Sequence, residues 1–176
     1  MRKTTTLALI VTALVALGCG SGATDSSSTT GGDSDAKGEE KAAKTAKIGQ
    51  PARDGKFEFT VKSSKCGVAK IGTDLLGEKA QGQFCLVTLN VKNIGKEAQM
   101  FDGSSQKAYA ADGTEYSSDT GAAIYANKNA ETFLNDINPG NQVTGVVVFD
   151  IPKNVKLAKL ELHDSPFSGG ITVALN

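Results

Sequence analysis

The sequence predicts an all-β fold, an antiparallel β-sandwich set behind an export signal and a coreless linker. Three observations lead there. Seven or eight short stretches between residues 48 and 176 carry apolar side chains on alternate positions, the period of a strand with one buried face. Turn signals separate them at short spacing: Asp54-Gly55, Asp112-Gly113 and Asn138-Pro139-Gly140, residue types that tolerate or impose tight-turn backbone angles. No stretch of useful length repeats at the helical period, which leaves a two-sheet sandwich as the layer architecture.

Residues 1–18 have the layout of an export signal. Arg2 and Lys3 precede an apolar run from Leu7 to Leu17, broken only by Thr12, and Gly18 closes it. The run is 11 residues, against roughly 20 for a bilayer-spanning helix, so no permanent span is expected. Ala16-Leu17-Gly18 satisfies the small-x-small site of ordinary secretion. With Cys19 directly after them, the same residues resemble the lipobox of bacterial lipoproteins. They depart from it at Ala16, more often leucine, and at Leu17, more often small. The resemblance implies that Cys19 becomes the lipidated N-terminus, carrying palmitate-type acyl chains that hold the chain on the extracytoplasmic face of the cell membrane. Plain secretion is the alternative.

Residues 19–47 are expected to form a disordered linker. From Gly20 to Lys47 there is no Leu, Ile, Val, Phe, Tyr, Trp or Met, so the segment has nothing to bury. A Gly/Ser/Thr-rich coil of 28 residues has an end-to-end distance of about 30 Å, suited to lifting a domain off a surface.

The folded domain is expected over residues 48–176. Phe57-Glu58-Phe59-Thr60-Val61 alternates cleanly, with Phe57, Phe59 and Val61 facing the core. Gly77 to Gln81 is polar and reads as a loop. Gln83 to Lys92 is the next strand, with Cys85, Val87, Leu89 and Val91 inward. Gln106 to Ser117 holds a hairpin about Asp112-Gly113. The Asn127 to Asn129 region reads as a surface connection, with room for a short helical turn before it. Thr132 to Ile137 reads as a strand that ends at the Asn138-Pro139-Gly140 turn. Gln142 to Phe149 is the most β-rich stretch and is expected to be a central strand, stopped at Ile151-Pro152 because proline cannot donate to a ladder. Lys159 to His163 and Ile171 to Leu175 supply two more strands.

Composition excludes some functions. The chain has 19 basic and 19 acidic side chains. Loss of residues 1–18 removes Arg2 and Lys3, leaving 17 against 19 and a net charge near −2. That balance opposes binding to a phosphate backbone, and the absence of Trp opposes a base-stacking platform, so no nucleic-acid partner is expected. Apart from Cys19, the body holds Cys66 and Cys85. An even pair in an exported chain reads as a disulfide, worth about 3 kcal/mol by loop-closure arithmetic. Free or metal-binding thiols are the competing reading, but further ligands at metal spacing are missing.

Several of these pieces, taken in series, carry a wider resemblance: Phe57 to Val61, Val87 to Asn93, Asp112 to Tyr116, Asn138-Pro139-Gly140 and Val147 to Pro152. From about Ile48 to Leu175 the chain resembles the domain of unknown function 4352 family of Gram-positive and actinobacterial lipoproteins. The resemblance implies an immunoglobulin-like sandwich, similar to the secreted immunoprotective antigen of mycobacteria. It supplies a fold and an address but no catalytic or ligand residues. Some relatives carry a telomere-binding label, which the neutral charge and the export signal oppose here.

Candidate chemistry is sparse. His163, beside Asp164, is the single histidine; without HExxH or GxSxG it reads as an exposed, solvated side chain at a strand end. Asp112-Gly113-Thr114-Glu115 lacks EF-hand spacing and reads as a hairpin turn rather than a calcium loop. Tyr109, Tyr116 and Tyr125 are a candidate binding patch, set against the reading that they close a sandwich end with hydroxyls bonded to backbone. Phe101 to Gln106 reads as a loop. No enzyme activity, cofactor or metal is expected. The chain is expected to be a binding module of the cell envelope, for a protein, glycan or small ligand. The alternative is a structural or antigenic surface protein, and an apolar pocket rimmed by polar groups distinguishes the two; an envelope enzyme is the least expected reading, revived only by clustering of His163 with two or more carboxylates.

Overall fold

The computed structural model describes residues 45–127, 129 and 132–176. Alternation becomes pairing in two facing sheets. The first contains β2 (Pro51–Asp54), β3 (Phe57–Gly72), β4 (Gly77–Asn93) and β9 (Gln142–Ile151), in the order β2-β3-β4-β9. The second contains β1 (Ala46–Lys47), β6 (Lys107–Ala110), β7 (Glu115–Ser117), β10 (Leu157–Leu162) and β11 (Ile171–Ala174), in the order β1-β11-β10-β6-β7. A small ladder joins β5 (Gln99–Met100) to β8 (Asp136–Ile137). Among the described residues pairing is antiparallel except at β1–β11, which is parallel. This is the expected immunoglobulin-like sandwich.

The core lies between the sheets because the period-two pattern sends every second side chain inward. Phe57, Phe59 and Val61 from β3 meet Val87, Leu89 and Val91 from β4 and Phe149 from β9, all essentially without solvent contact. Leu160, Leu162 and Val173 close the core from the other sheet. Burial of each large aliphatic or aromatic side chain contributes about 1.5–3 kcal/mol.

Five expectations are corrected. Gly77 to Gln81 is not a loop but the start of β4: β3 and β4 form one long hairpin, with Lys70 opposite Lys79 and Gly72 opposite Gly77. The strand expected at Gln142 to Phe149 runs on to Ile151 and is not central but an edge strand, paired on one side with β4. Thr132 to Leu134 is a turn in which Thr132 N–H donates to Asn129 O at 3.0 Å, and only Asp136–Ile137 is strand. Among the described residues, sheet pairing already includes Ala46 and Lys47, ahead of the expected start at Ile48, opposite Val173 and Ala174. His163 is buried rather than solvated. The residues read as export signal and most of the linker, including Cys19, lie outside the described residues.

Cys66 and Cys85 are joined by a disulfide across β3 and β4, with their Cα atoms 3.9 Å apart. Cys66 sits where the register shifts between Lys65 and Val68, the unpaired position a bulge provides.

An exposed edge strand invites further pairing, and α1 (Thr120–Ala126) deals with that for β9. Asp119, the N-cap of α1, donates its backbone N–H to Val148 O at 2.7 Å. At the other end the Asn127 side chain pairs with Val146. Beneath α1 a second small core forms from Ile71, Phe84, Ala122 and Val148, which ties the outer arm of the β3–β4 hairpin to the helix.

Candidate functional site

Between α1, the edge of β9 and the segment after β5 there is a cavity of about 300 Å³, mostly apolar. Its floor is Phe101, Phe133 and Val147, and its helical wall is Ala123 and Ile124. The Phe101 and Phe133 rings lie 4.6 Å apart, and Phe101 is packed edge-on to Phe57 and Phe59, so the floor is continuous with the core. Gly145 makes room for Phe133: a Cβ there would lie 2.5 Å from the ring. The mouth carries Met100, Ile124 and Leu134, which are 57%, 49% and 62% exposed. Clustered large apolar side chains about a concave apolar floor mark a ligand site more than scattered ones do.

The polar rim is built by two aspartates. Asp102 caps the 3-10 turn Gly103–Ser105, accepting from Ser104 N at 2.9 Å, from Ser104 Oγ at 2.6 Å and from Ser105 Oγ. Burial pushes its carboxyl up, but the Ser104 and Ser105 donors outweigh that and hold it below the ordinary value. Asp119 accepts from Ala122 N at 2.9 Å. Ser118 Oγ donates to Gly103 O at 2.5 Å and fixes the turn to the start of α1. The rim is therefore rigid and anionic. It suits a neutral or cationic head group and disfavours an anionic one.

The residues singled out in the sequence do not assemble into this site. Tyr109 and Tyr116 are on opposite faces of the β6–β7 hairpin: Tyr116 packs on the core, whereas Tyr109 faces outward. The Tyr109 hydroxyl donates to Glu115 Oε2 at 2.9 Å rather than to backbone, and Lys159 Nζ lies 4.7 Å from its ring centroid. Burial, then the Glu115 and Glu161 carboxylates, push the phenol up to about 12. The Lys107 ammonium, then the Tyr109 hydroxyl, hold the Glu115 carboxyl low. Tyr125 is on α1, exposed. Asp112 forms the expected hairpin turn, accepting from Thr114 N at 3.0 Å beside Gly113 at φ 88°.

His163 organises a loop. Its Nε2 lies 2.9 Å from Glu161 Oε1 and its Nδ1 3.3 Å from Ser168 O. Gly170, at φ 70°, lies against the imidazole, where a Cβ would be 2.6 Å from Cε1. The His163 backbone is clamped by the buried Gln106 side chain, which donates to His163 O at 3.0 Å and accepts from His163 N at 2.9 Å. One carboxylate, Glu161, bonds the ring. Among the described residues no group of three or more His, Cys, Asp or Glu side chains could hold a metal ion.

The cavity as a whole carries no local signature in the sequence. Phe101 to Gln106, read as a plain loop, supplies its floor and one side of its rim. A usable signal was present: Phe101 followed by Asp102 and then Ser104 and Ser105 is an apolar anchor joined to a capping turn.

The fold and the cavity define an immunoglobulin-like sandwich with a helix-walled apolar site at one sheet edge. The family described as domain of unknown function (DUF4352) matches residues 46–173, and the chain belongs to it. It is 33% identical over 117 residues to the uncharacterized protein YxkC of Bacillus subtilis strain 168, covering 62% of this chain and 64% of that protein. The chain thus spans a little under two thirds of that relative. Among solved structures, the yjhA protein of Bacillus subtilis is similar at a TM-score of 0.55 and 16% identity, over 75% of this chain and 100% of that one. A secreted protein from Mycobacterium tuberculosis is similar at a TM-score of 0.54 and 18% identity, over 74% and 95%. At such identities these likenesses establish the fold.

Proposed function

We propose that the protein is a non-catalytic lipoprotein, held through Cys19 on the extracytoplasmic face of the cell membrane, whose sandwich binds a small apolar ligand with a neutral or cationic end. The observation that carries the binding reading is the apolar cavity with its exposed Met100, Ile124 and Leu134 mouth. Its two carboxylates are occupied in capping turns, which supports a holding role over acid–base chemistry. The anchor rests on the lipobox-like residues Ala16 to Cys19 and is supported by the disulfide, a bond of oxidising compartments.

Titration of the full chain with the neutral probe N-phenylnaphthylamine tests the binding reading. Saturable emission enhancement is expected in the wild type. Ala123→Phe, which fills the cavity, and Ile124→Glu, at an exposed position, should each abolish it without a large change in melting temperature. Enhancement that survives both variants would show that the probe binds outside the cavity. Metabolic labelling with a fatty acid tests the anchor separately: the wild type should be labelled, and Cys19→Ala should yield unlabelled protein.

A further inference from the structure

The tip of the long β3–β4 hairpin presents two leucines to solvent beside the exposed, acidic Asp74. Leu75 is 95% and Leu76 70% exposed. The turn that carries them is well fixed. Thr73 N–H donates to Leu76 O at 2.7 Å, and Leu76 N–H to Thr73 Oγ1 at 3.0 Å. Gly72, at φ 85°, and Gly77 allow the strands to close, since a Cβ on either would lie within 2.4 Å of backbone oxygen. Two adjacent leucines are thus presented to solvent by an ordered turn, at an entropic cost already met on folding.

Directly behind them Lys70 and Lys79 are cross-strand partners. Like charges placed opposite one another destabilise a ladder, and an anion between them relieves that. Asp74 reaches Lys70 at 2.6 Å, which leaves Lys79 unmatched in that pair. The neighbouring register pair, Ile71 and Glu78, belongs to the other face, where Ile71 is buried with Ala122 of α1. Over residues 62–82 the four lysines Lys62, Lys65, Lys70 and Lys79 face two acids, Asp74 and Glu78, in a chain of zero formal charge. Apolar residues backed by lysines match the layered chemistry of a bilayer surface, hydrocarbon beneath phosphate. A protein partner fits less well, because lysine is depleted at protein interfaces and two leucines form a small patch.

We propose that the β3–β4 hairpin tip docks on an anionic bilayer, with Leu75 and Leu76 in the interfacial hydrocarbon and Lys70 and Lys79 at the lipid phosphates. Docking of this kind stands apart from the cavity and does not require Cys19. It would hold the sandwich in one orientation on the membrane.

The chain contains no tryptophan, so Leu75→Trp places a single reporter at the tip, and Phe167→Trp places one on another fully exposed loop residue. Each full-length variant is mixed with vesicles of phosphatidylglycerol and phosphatidylcholine, with and without brominated acyl chains. The expected result is a blue-shifted, bromine-quenched emission for the indole at position 75 and an unshifted one for that at position 167. Adding Lys70→Glu and Lys79→Glu to the first variant should cut its docked fraction about tenfold. An unshifted indole at position 75 overturns the proposal, as does equal quenching at both positions or an equal response in pure phosphatidylcholine.

Discussion

The Asn127 side chain pairs with both backbone groups of Val146: Oδ1 accepts the Val146 N–H at 2.8 Å and Nδ2 donates to the Val146 carbonyl at 3.0 Å. In effect a carboxamide stands in for the next strand. The same Nδ2 reaches Ala123 O at 2.7 Å and so closes the C-terminus of α1. One side chain therefore blocks the free edge of β9 and secures the helix that walls the cavity. Asn127→Ala leaves both Val146 groups without these partners, in a half-buried setting. A loss of about 1–3 kcal/mol is expected in denaturant titration, with weaker probe binding. Unchanged stability would mean that water replaces the carboxamide freely.

Gly145 and Phe133 allow cavity shape to be separated from fold stability. The Gly145→Ala methyl would lie 2.5 Å from the Phe133 ring and 2.8 Å from Thr132 Cγ2, so both side chains must shift. A cost of about 1 kcal/mol is expected, together with a severalfold change in probe affinity. A large stability loss with unaltered binding would contradict the assignment of Phe133 to the cavity floor.

Gln106 is fully buried, and its side chain holds Asp102 O as well as the His163 backbone. Gln106→Leu keeps approximate size but removes these bonds. A loss of about 2–4 kcal/mol is expected, measurable by urea unfolding.

Acid should open the cavity rim. The Asp102 carboxyl is lowered in the folded state, so its contribution is present above the unfolded value of about 4. It is lost as pH falls below that through the folded value. Probe affinity followed downward from neutral pH should drop in that acid window, and Asp102→Asn should flatten the drop. An identical profile in the variant would assign the acid sensitivity to another group.

The disulfide should be stabilising. Removing the bond with Cys66→Ala and Cys85→Ala is expected to cost about 3 kcal/mol through the freed loop, read by denaturant midpoint under oxidising conditions. Equal midpoints would show that the β3–β4 pairing alone restrains that loop in the unfolded chain.

Much of the sandwich was legible because its strands carry local signals. Phe57 to Val61 and Cys85 to Val91 alternate with large side chains, and Asp112-Gly113 announces its own turn. Gly77 to Gln81 was not legible, because its alternation uses Glu78 and Ala80, residues that look like loop until α1 covers the arm. The edge position of β9 was hidden for the same reason: Val146 and Val148 are apolar on the second face because α1 and Asn127 sit there. His163 looked solvated because its burial comes from Gly170, seven residues on, folding against the ring. The cavity draws on Phe101, Ala123, Phe133 and Val147, four separate segments that no local pattern connects.

The proposed ligand of the cavity between α1 and β9 is apolar with a neutral or cationic end. Amide chemical-shift mapping of the full chain with an alkylammonium and the matching alkanoate tests it most directly. Saturable shifts are expected at Gly103, Ala123, Phe133 and Val146 with the alkylammonium, and much weaker ones with the alkanoate because Asp102 and Asp119 repel it. Shifts that do not saturate, that fall on other residues, or that are as strong with the alkanoate would contradict the proposal.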